Sequence, residues 1–148
     1  MQFHAYLNFD GRGTEAMRFY ADLLGGDLEI MTFGESPMAD TTPEGWDDRV
    51  LHAALTVGDQ MIMASDAPDG RYSRPAGTYV SVSVDSVDEG KRIFDGLAED
   101  AEIEMPFQET FWSPGFGSLV DRWGTPWMVN CQPVAEGAES PATVARAS

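Results

Sequence analysis

The sequence predicts an α+β fold in which two βαβββ modules pair, so that their mixed sheets form a cup with the helices outside. Three observations carry this. Apolar and polar residues alternate at period two over several short stretches, two segments carry a helical apolar stripe, and each of those segments is followed by three strand-like stretches. The second half also repeats the order of the first, the mark of a unit that covers its apolar face by pairing with its copy.

Residues 3 to 9 place Phe3, Ala5, Leu7 and Phe9 on one face and His4, Tyr6 and Asn8 on the other, as in a half-buried strand. After a turn over residues 10 to 13, Ala16, Phe19, Tyr20, Leu23 and Leu24 form a helical stripe, with Thr14 as the expected N-cap and Gly25-Gly26 as the stop. Residues 28 to 33 read as a second strand. The stretch 34 to 48, rich in Pro, Gly and acid, reads as a long loop of the kind that forms a lid or has no fixed structure. Residues 51 to 57 and 60 to 65 are two apolar strands joined by the Gly58-Asp59 turn.

The order then begins again. Residues 79 to 84 form a strand, Ser86 and Glu89 read as a reciprocal capping box, and Val87, Gly90, Ile93, Phe94 and Leu97 stripe a helix that runs to about Ala98. Strands follow at 101 to 107, 116 to 121 and 127 to 131. Offset by 75 residues, His4 falls on Tyr79, Tyr6 on Ser81 and Phe9 on Val84; offset by 74, Tyr20 falls on Phe94 and Phe33 on Phe107. The expected organisation is one domain over residues 1–132, with modules at about 1–70 and 75–132, and a flexible tail over 133–148, which lacks the large apolar groups needed to hold itself in place. Met61 and Met63 are expected to fill the core.

The expected inward face carries His4, Tyr6, Asn8, His52, Thr56, Tyr79, Ser81, Ser83 and Asn130, too polar a set for core alone. The stretch FQETFWSPGFGSLVDRWGTPWMVN, residues 107 to 130, adds Trp112, Phe116, Trp123 and Trp127 and has the density of rings expected of a ligand wall. Aromatic rings at such positions equally suit a core or a subunit interface. Tyr6, His52, Tyr79, Trp112, Phe116 and Asn130 are the candidate pocket residues, and Glu109, flanked by Phe107, Phe111 and Trp112, is the candidate base. His52, in an otherwise apolar strand, suits a hydrogen-bonded core histidine as well as a ligand.

Composition narrows the partners. With 9 basic and 25 acidic residues the formal charge is -16, which repels nucleic-acid phosphates and anionic lipid surfaces, so a small molecule is the expected partner. The single cysteine, Cys131, excludes an intrachain disulfide and suits a reducing compartment; with neither a secretory leader nor a membrane span legible, a cytoplasmic location is expected. The turn Gly11-Arg-Gly13-Thr-Glu-Ala16 matches a dinucleotide-binding pattern, but its repeat copy has no glycines, and the strands that follow are hairpins instead of βαβ units.

AYLNFDGRGTEAMRFYADLLGG, LHAALTVGDQMIMASD and PFQETFWSPGFGSLVDRWGTPWMVNC resemble the vicinal-oxygen-chelate superfamily of glyoxalases, bleomycin-resistance proteins and extradiol dioxygenases, within it the PhnB-like branch. The resemblance covers about residues 3 to 131 and implies a homodimer with its ligand inside the cup. It also implies a divalent metal on the inner face, for which His4 and His52 are the candidate ligands; Tyr79 stands where the repeat of His4 would be, and neither late strand offers the expected glutamate. Only Asp66 or Glu109 is available to complete a two-histidine-one-carboxylate set. Three activities follow as alternatives: an organic-molecule-binding cup, a metal-dependent lyase or dioxygenase, and sequestration of a drug or metabolite without turnover.

Overall fold

The computed structural model describes residues 1–133. The order is β1 (Ala5–Phe9), α1 (Gly13–Leu24), β2 (Asp27–Thr32), β3 (Val50–Val57), β4 (Gln60–Asp66), β5 (Val80–Val84), α2 (Val87–Leu97), β6 (Glu102–Gln108), β7 (Gly115–Val120) and β8 (Pro126–Cys131), with a 3-10 turn at Ala39–Thr41 inside the long loop. This is βαβββ twice. The expected tail lies outside the described residues from 134 onward.

Each module folds one mixed four-stranded sheet, ordered β1-β4-β3-β2 in the first and β5-β8-β7-β6 in the second. In both, the first strand runs parallel to the last and the remaining pairs are antiparallel. The hairpin connections and the parallel edge strand follow from the module order, because β1 and β5 are each joined to their sheets through a helix while the last two strands of each module are joined directly.

Helix α1 buries Gly13, Ala16, Met17 and Tyr20, and α2 buries Gly90, Ile93, Phe94 and Leu97. Against them stand the inward residues of the strands, including Phe9, Ala53, Leu55, Ala64, Leu119, Trp127 and Val129, all fully buried in one apolar cluster shared by the modules. Met17 was not in the predicted stripe, although it lies four residues from Gly13 and three from Tyr20 on the same face. Gly25 ends α1 in the left-handed conformation at φ 75, and its N–H reaches the Ala21 carbonyl.

Two capping expectations change. Thr14 is not the N-cap of α1; that position is Arg12, with no side-chain cap, and the free N–H of Gly13 is met at 2.9 Å by Asp66 Oδ1 from the end of β4. At α2, Ser86 Oγ accepts from the Glu89 N–H at 3.1 Å as expected, but the Glu89 carboxylate turns to the Arg92 guanidinium instead of returning to Ser86.

Helix α1 also joins the modules. Tyr20 stacks edge-on against Trp127 with ring centroids 5.0 Å apart and against Trp123 at 5.6 Å. Arg122 lies over both Phe19 and Trp123. Below them, Leu23 fills the space beside Gly96, where a β-carbon would come within 2.6 Å of it. No helix among the described residues is long and apolar enough to cross a membrane.

Candidate functional site

The helices cover one face of each sheet, so the other face is open. Strand parity and register assign its residues. On the first sheet, Tyr6 stands opposite Met63 and Asn8 opposite Ser65, while Ala54 adjoins Met63 and Thr56 adjoins Met61. His52 on β3 and Met31 on the edge strand β2 follow. On the second sheet, Ser81 and Ser118 flank Met128, and Ser83 and Phe116 flank Asn130. Met61 and Met63 are therefore not core fillers: they are half-buried on the open face. With Met31, Met105 and Met128 they put five of the chain's eight methionines on or bordering the open faces, where a flexible polarisable side chain suits an adaptable surface.

Tyr6 is 51% exposed and its hydroxyl lies 3.4 Å from His52 Nδ1, with the two rings 6.0 Å apart. These two expected pocket residues come together. A second group forms on the other sheet, where Trp112 stacks on Phe116 at 5.3 Å and Phe116 faces Asn130 across the β7–β8 ladder. The side-chain oxygen Oδ1 of Asn130 is buried and has no hydrogen-bond partner among the described residues. Because an unsatisfied buried acceptor costs about 1–3 kcal/mol, it marks a place where a donor from elsewhere would be gained.

Trp112 stands on a short loop with a firm base. The Thr110 N–H donates to the Ser113 carbonyl, and the single Ser113 hydroxyl proton is shared between the carbonyls of Gly115 at 2.8 Å and Cys131 at 2.6 Å. That loop presents Phe111 almost fully exposed, edge-on to Trp112 at 4.8 Å. Glu109 lies just before it, also exposed.

Between the two groups runs the seam of β1 and β5, which no ladder bridges among the described residues. One end opens into a hollow of about 380 Å³ between Tyr6 and Asn8 on one side and Tyr79, Thr78 and Thr125 on the other. A larger groove of about 700 Å³ follows the seam at its other end and is lined by Phe3, Leu55, Ile62, Val82 and Ile93, with Tyr79 shared by both. Tyr79 precedes β5, and its hydroxyl donates to Glu104 Oε1 of β6 at 2.9 Å; this hydrogen bond raises the phenol pKa above its usual value. His4 is exposed ahead of β1 and lines neither hollow.

Residues 1–130 match the family described as 3-demethylubiquinone-9 3-methyltransferase. The chain is 41% identical over 140 residues to Protein YjdN of Escherichia coli, covering 88% of this chain and 95% of that one. The chain belongs to this PhnB-like family. Among solved structures, protein PA1353 from Pseudomonas aeruginosa is 42% identical with a TM-score of 0.82, covering 89% of this chain and 98% of that one. A Bacillus cereus PhnB protein is 26% identical with a TM-score of 0.75, covering 88% and 99%. More distantly, the fosfomycin resistance protein FosX of Listeria monocytogenes, solved with Mn(II) and a dihydroxypropylphosphonic acid, shares the fold alone at 12% identity, covering 90% and 93%, with a TM-score of 0.58. The paired-module fold that the resemblance to the vicinal-oxygen-chelate superfamily implied is the fold of these neighbours.

The donor set of this PhnB-like chain does not fit the superfamily metal. Among the described residues no three His, Cys, Asp or Glu side chains converge as a metal site requires. His52 has Tyr6 beside it and Met31 across the ladder, and the closing strands offer Ser65 and Asn130 on the open face.

Sequence reasoning offered Asp66 only as a carboxylate to complete a metal site and missed Asp121; both are buried and held by the protein's own donors. Asp66 accepts from the N–H groups of Gly11, Gly13 and Val50, so the glycine-rich turn is wrapped around the protein's own carboxylate. Asp121 accepts from Tyr20 Oη, Trp127 Nε1 and the N–H groups of Trp123 and Thr125. Trp123 and Trp127 therefore belong to the core and not to a ligand wall. Parity carried the signal for Trp127: in a strand whose Asn130 faces the cup, Trp127, Val129 and Cys131 must face the helices.

Proposed function

We propose that this PhnB-like protein binds a small organic molecule against the open faces of its two sheets. The observation that carries this is the make-up of those faces: aromatic and thioether groups at Tyr6, Met61, Met63, Phe116 and Met128, interspersed with the hydrogen-bonding groups of Asn8, His52, Ser81, Ser83 and Asn130. The unpartnered Asn130 oxygen supports the same reading, since a ligand donor would satisfy it. A homodimer, the common assembly in the superfamily, would cover the exposed Phe111 and Trp112 and close the site.

Binding is better supported than turnover. Glu109 is solvent-exposed at the edge of the aromatic loop and lines neither hollow, so the position expected of a base lacks the enclosed setting that general-base chemistry uses. The methyl transfer named in the family description finds no nucleotide cradle at the Gly11-Arg-Gly13 turn, because the N–H groups of both glycines are already engaged by Asp66.

Native mass spectrometry of the full chain, purified without chelator, tests the proposal. An organic adduct at one per chain, released unchanged on unfolding and lost in a Tyr6→Ala, Phe116→Ala double variant, is the expected result. An adduct that survives in the double variant, or one that is chemically converted during incubation, contradicts binding without turnover at these faces.

A further inference from the structure

None of the eight strands among the described residues carries a lysine or an arginine. Their charged side chains are Asp27, Glu29, Asp66, Glu102 and Glu104, with His52 the one ionisable base. Asp66 is turned to the helix side and occupied by three backbone N–H groups, which leaves the strand carboxylates at the outer edges of the sheets, on β2 and β6. Among the described residues no lysine or arginine lines the 380 Å³ hollow; Arg74, between the lining residues Ser73 and Pro75, pairs with Glu102 at 2.8 Å, and Arg12 pairs with Asp10 at 3.0 Å. Glu104 has no such cation among the described ion pairs, and its partner is the neutral hydroxyl of Tyr79, a wall of the hollow.

An anion entering this hollow would meet no positive group in its lining and would lose its hydration against a chain of formal charge -16. A cation would meet two electron-rich aromatic residues, Tyr6 and Tyr79, in the lining on the two sides of the seam, with the Glu104 carboxylate one hydrogen bond behind Tyr79. Asn8, Ser73, Thr78 and Thr125 supply neutral hydrogen-bonding groups around it.

We propose that the hollow between Tyr6 and Tyr79 selects an organic cation, an amine or quaternary ammonium group carried on a small molecule. This rests on the organic-ligand reading above and gives it a charge. It separates the chain from a phosphonate-binding relative of the same fold.

Calorimetric titration of the full-length protein at low ionic strength with acetylcholine, its uncharged isostere 3,3-dimethylbutyl acetate, and propylphosphonate tests the charge. Acetylcholine is expected to bind about tenfold more tightly than the isostere, with no heat from the phosphonate. Glu104→Gln should weaken acetylcholine several-fold and leave the isostere unchanged, and Tyr79→Leu should weaken both. Glu104 is exposed, so the variant's unchanged melting temperature would confirm that folding is not the cause. Equal affinity for acetylcholine and the isostere, or binding of propylphosphonate, overturns the cation preference while leaving an organic-ligand cup intact. If neither acetylcholine nor the isostere binds, the hollow is not the site, and the mass-spectrometric test of the open faces decides the broader reading by itself.

Discussion

Tyr20 on α1 donates its hydroxyl to Asp121 Oδ2 in the β7–β8 turn, joining residues 101 positions apart in the two modules. The same carboxylate accepts from Trp127 Nε1 at 2.9 Å and from the Trp123 and Thr125 N–H groups, both at 3.0 Å, so one buried acid fixes a turn, an indole and the neighbouring module's helix. Removing it would leave four donors without a partner. Asp121→Ala is expected to destabilise the fold by about 3–5 kcal/mol, read from urea unfolding, and Tyr20→Phe by about 1.5–3 kcal/mol.

The Tyr20 pair also predicts a pH dependence. Burial, then the Asp121 charge and hydrogen bond, hold the Tyr20 phenol pKa well above its usual 10.0. The folded state therefore keeps a proton that the unfolded state loses, and this stabilisation is complete below pH 10 and declines as pH rises above it. Stability measured at pH 9 and pH 11 should fall more in the native protein than in Tyr20→Phe; an equal fall would remove Tyr20 as the source.

The glycine-rich turn gives a third test. A β-carbon at Gly13 would lie 2.9 Å from Asp66 Oδ1 and 3.2 Å from Val50 Cγ2. Gly13→Ala is expected to cost about 1–3 kcal/mol by crowding a well-packed site. Dinucleotides, added to either protein at millimolar concentration, should leave the melting temperature unmoved; a rise in the native protein abolished by Gly13→Ala would restore the nucleotide reading.

Asn130 separates ligand from scaffold. Its side-chain oxygen lacks a partner among the described residues, so Asn130→Ala is expected to change stability by less than about 1 kcal/mol while weakening the bound organic molecule. A large loss of stability with affinity retained would make Asn130 a structural residue.

Much of this was legible because period two and period 3.6 survive in a sequence that repeats. Every strand and both helices lie within a few residues of where the pattern puts them, and the parity that placed Tyr6, Asn8, His52, Ser81, Ser83 and Asn130 on one face holds in both sheets. What failed to show was anything decided by partners distant in sequence. Asp66 and Asp121 look like ordinary strand-end acids until the turns that wrap them are seen. The aromatic run from 107 to 130 could not declare which rings face the helices, and the structure divides it: Trp123 and Trp127 in the core, Trp112 and Phe116 stacked outside it. Met61 and Met63 misled because hydrophobicity marks burial against a ligand surface and burial in a core alike.

Metal content offers a check on the donor set. Protein purified without chelator is expected to hold less than one equivalent of Mn, Ni, Zn or Fe, because the described residues bring no three ligating side chains together. A stoichiometric metal lost in His52→Ala would overturn this.

The central claim, that the open faces bind the ligand, is tested most directly by methionine methyl NMR of the full chain titrated with acetylcholine and with 3,3-dimethylbutyl acetate. Met61, Met63 and Met128 lie on the open faces, while Met17 is fully buried beneath α1. Whichever of the two compounds binds, the account predicts that it shifts the open-face methyl signals and leaves Met17 unmoved. Shifts confined to Met1 and Met38, or saturable shifts at Met17 alone, would contradict it.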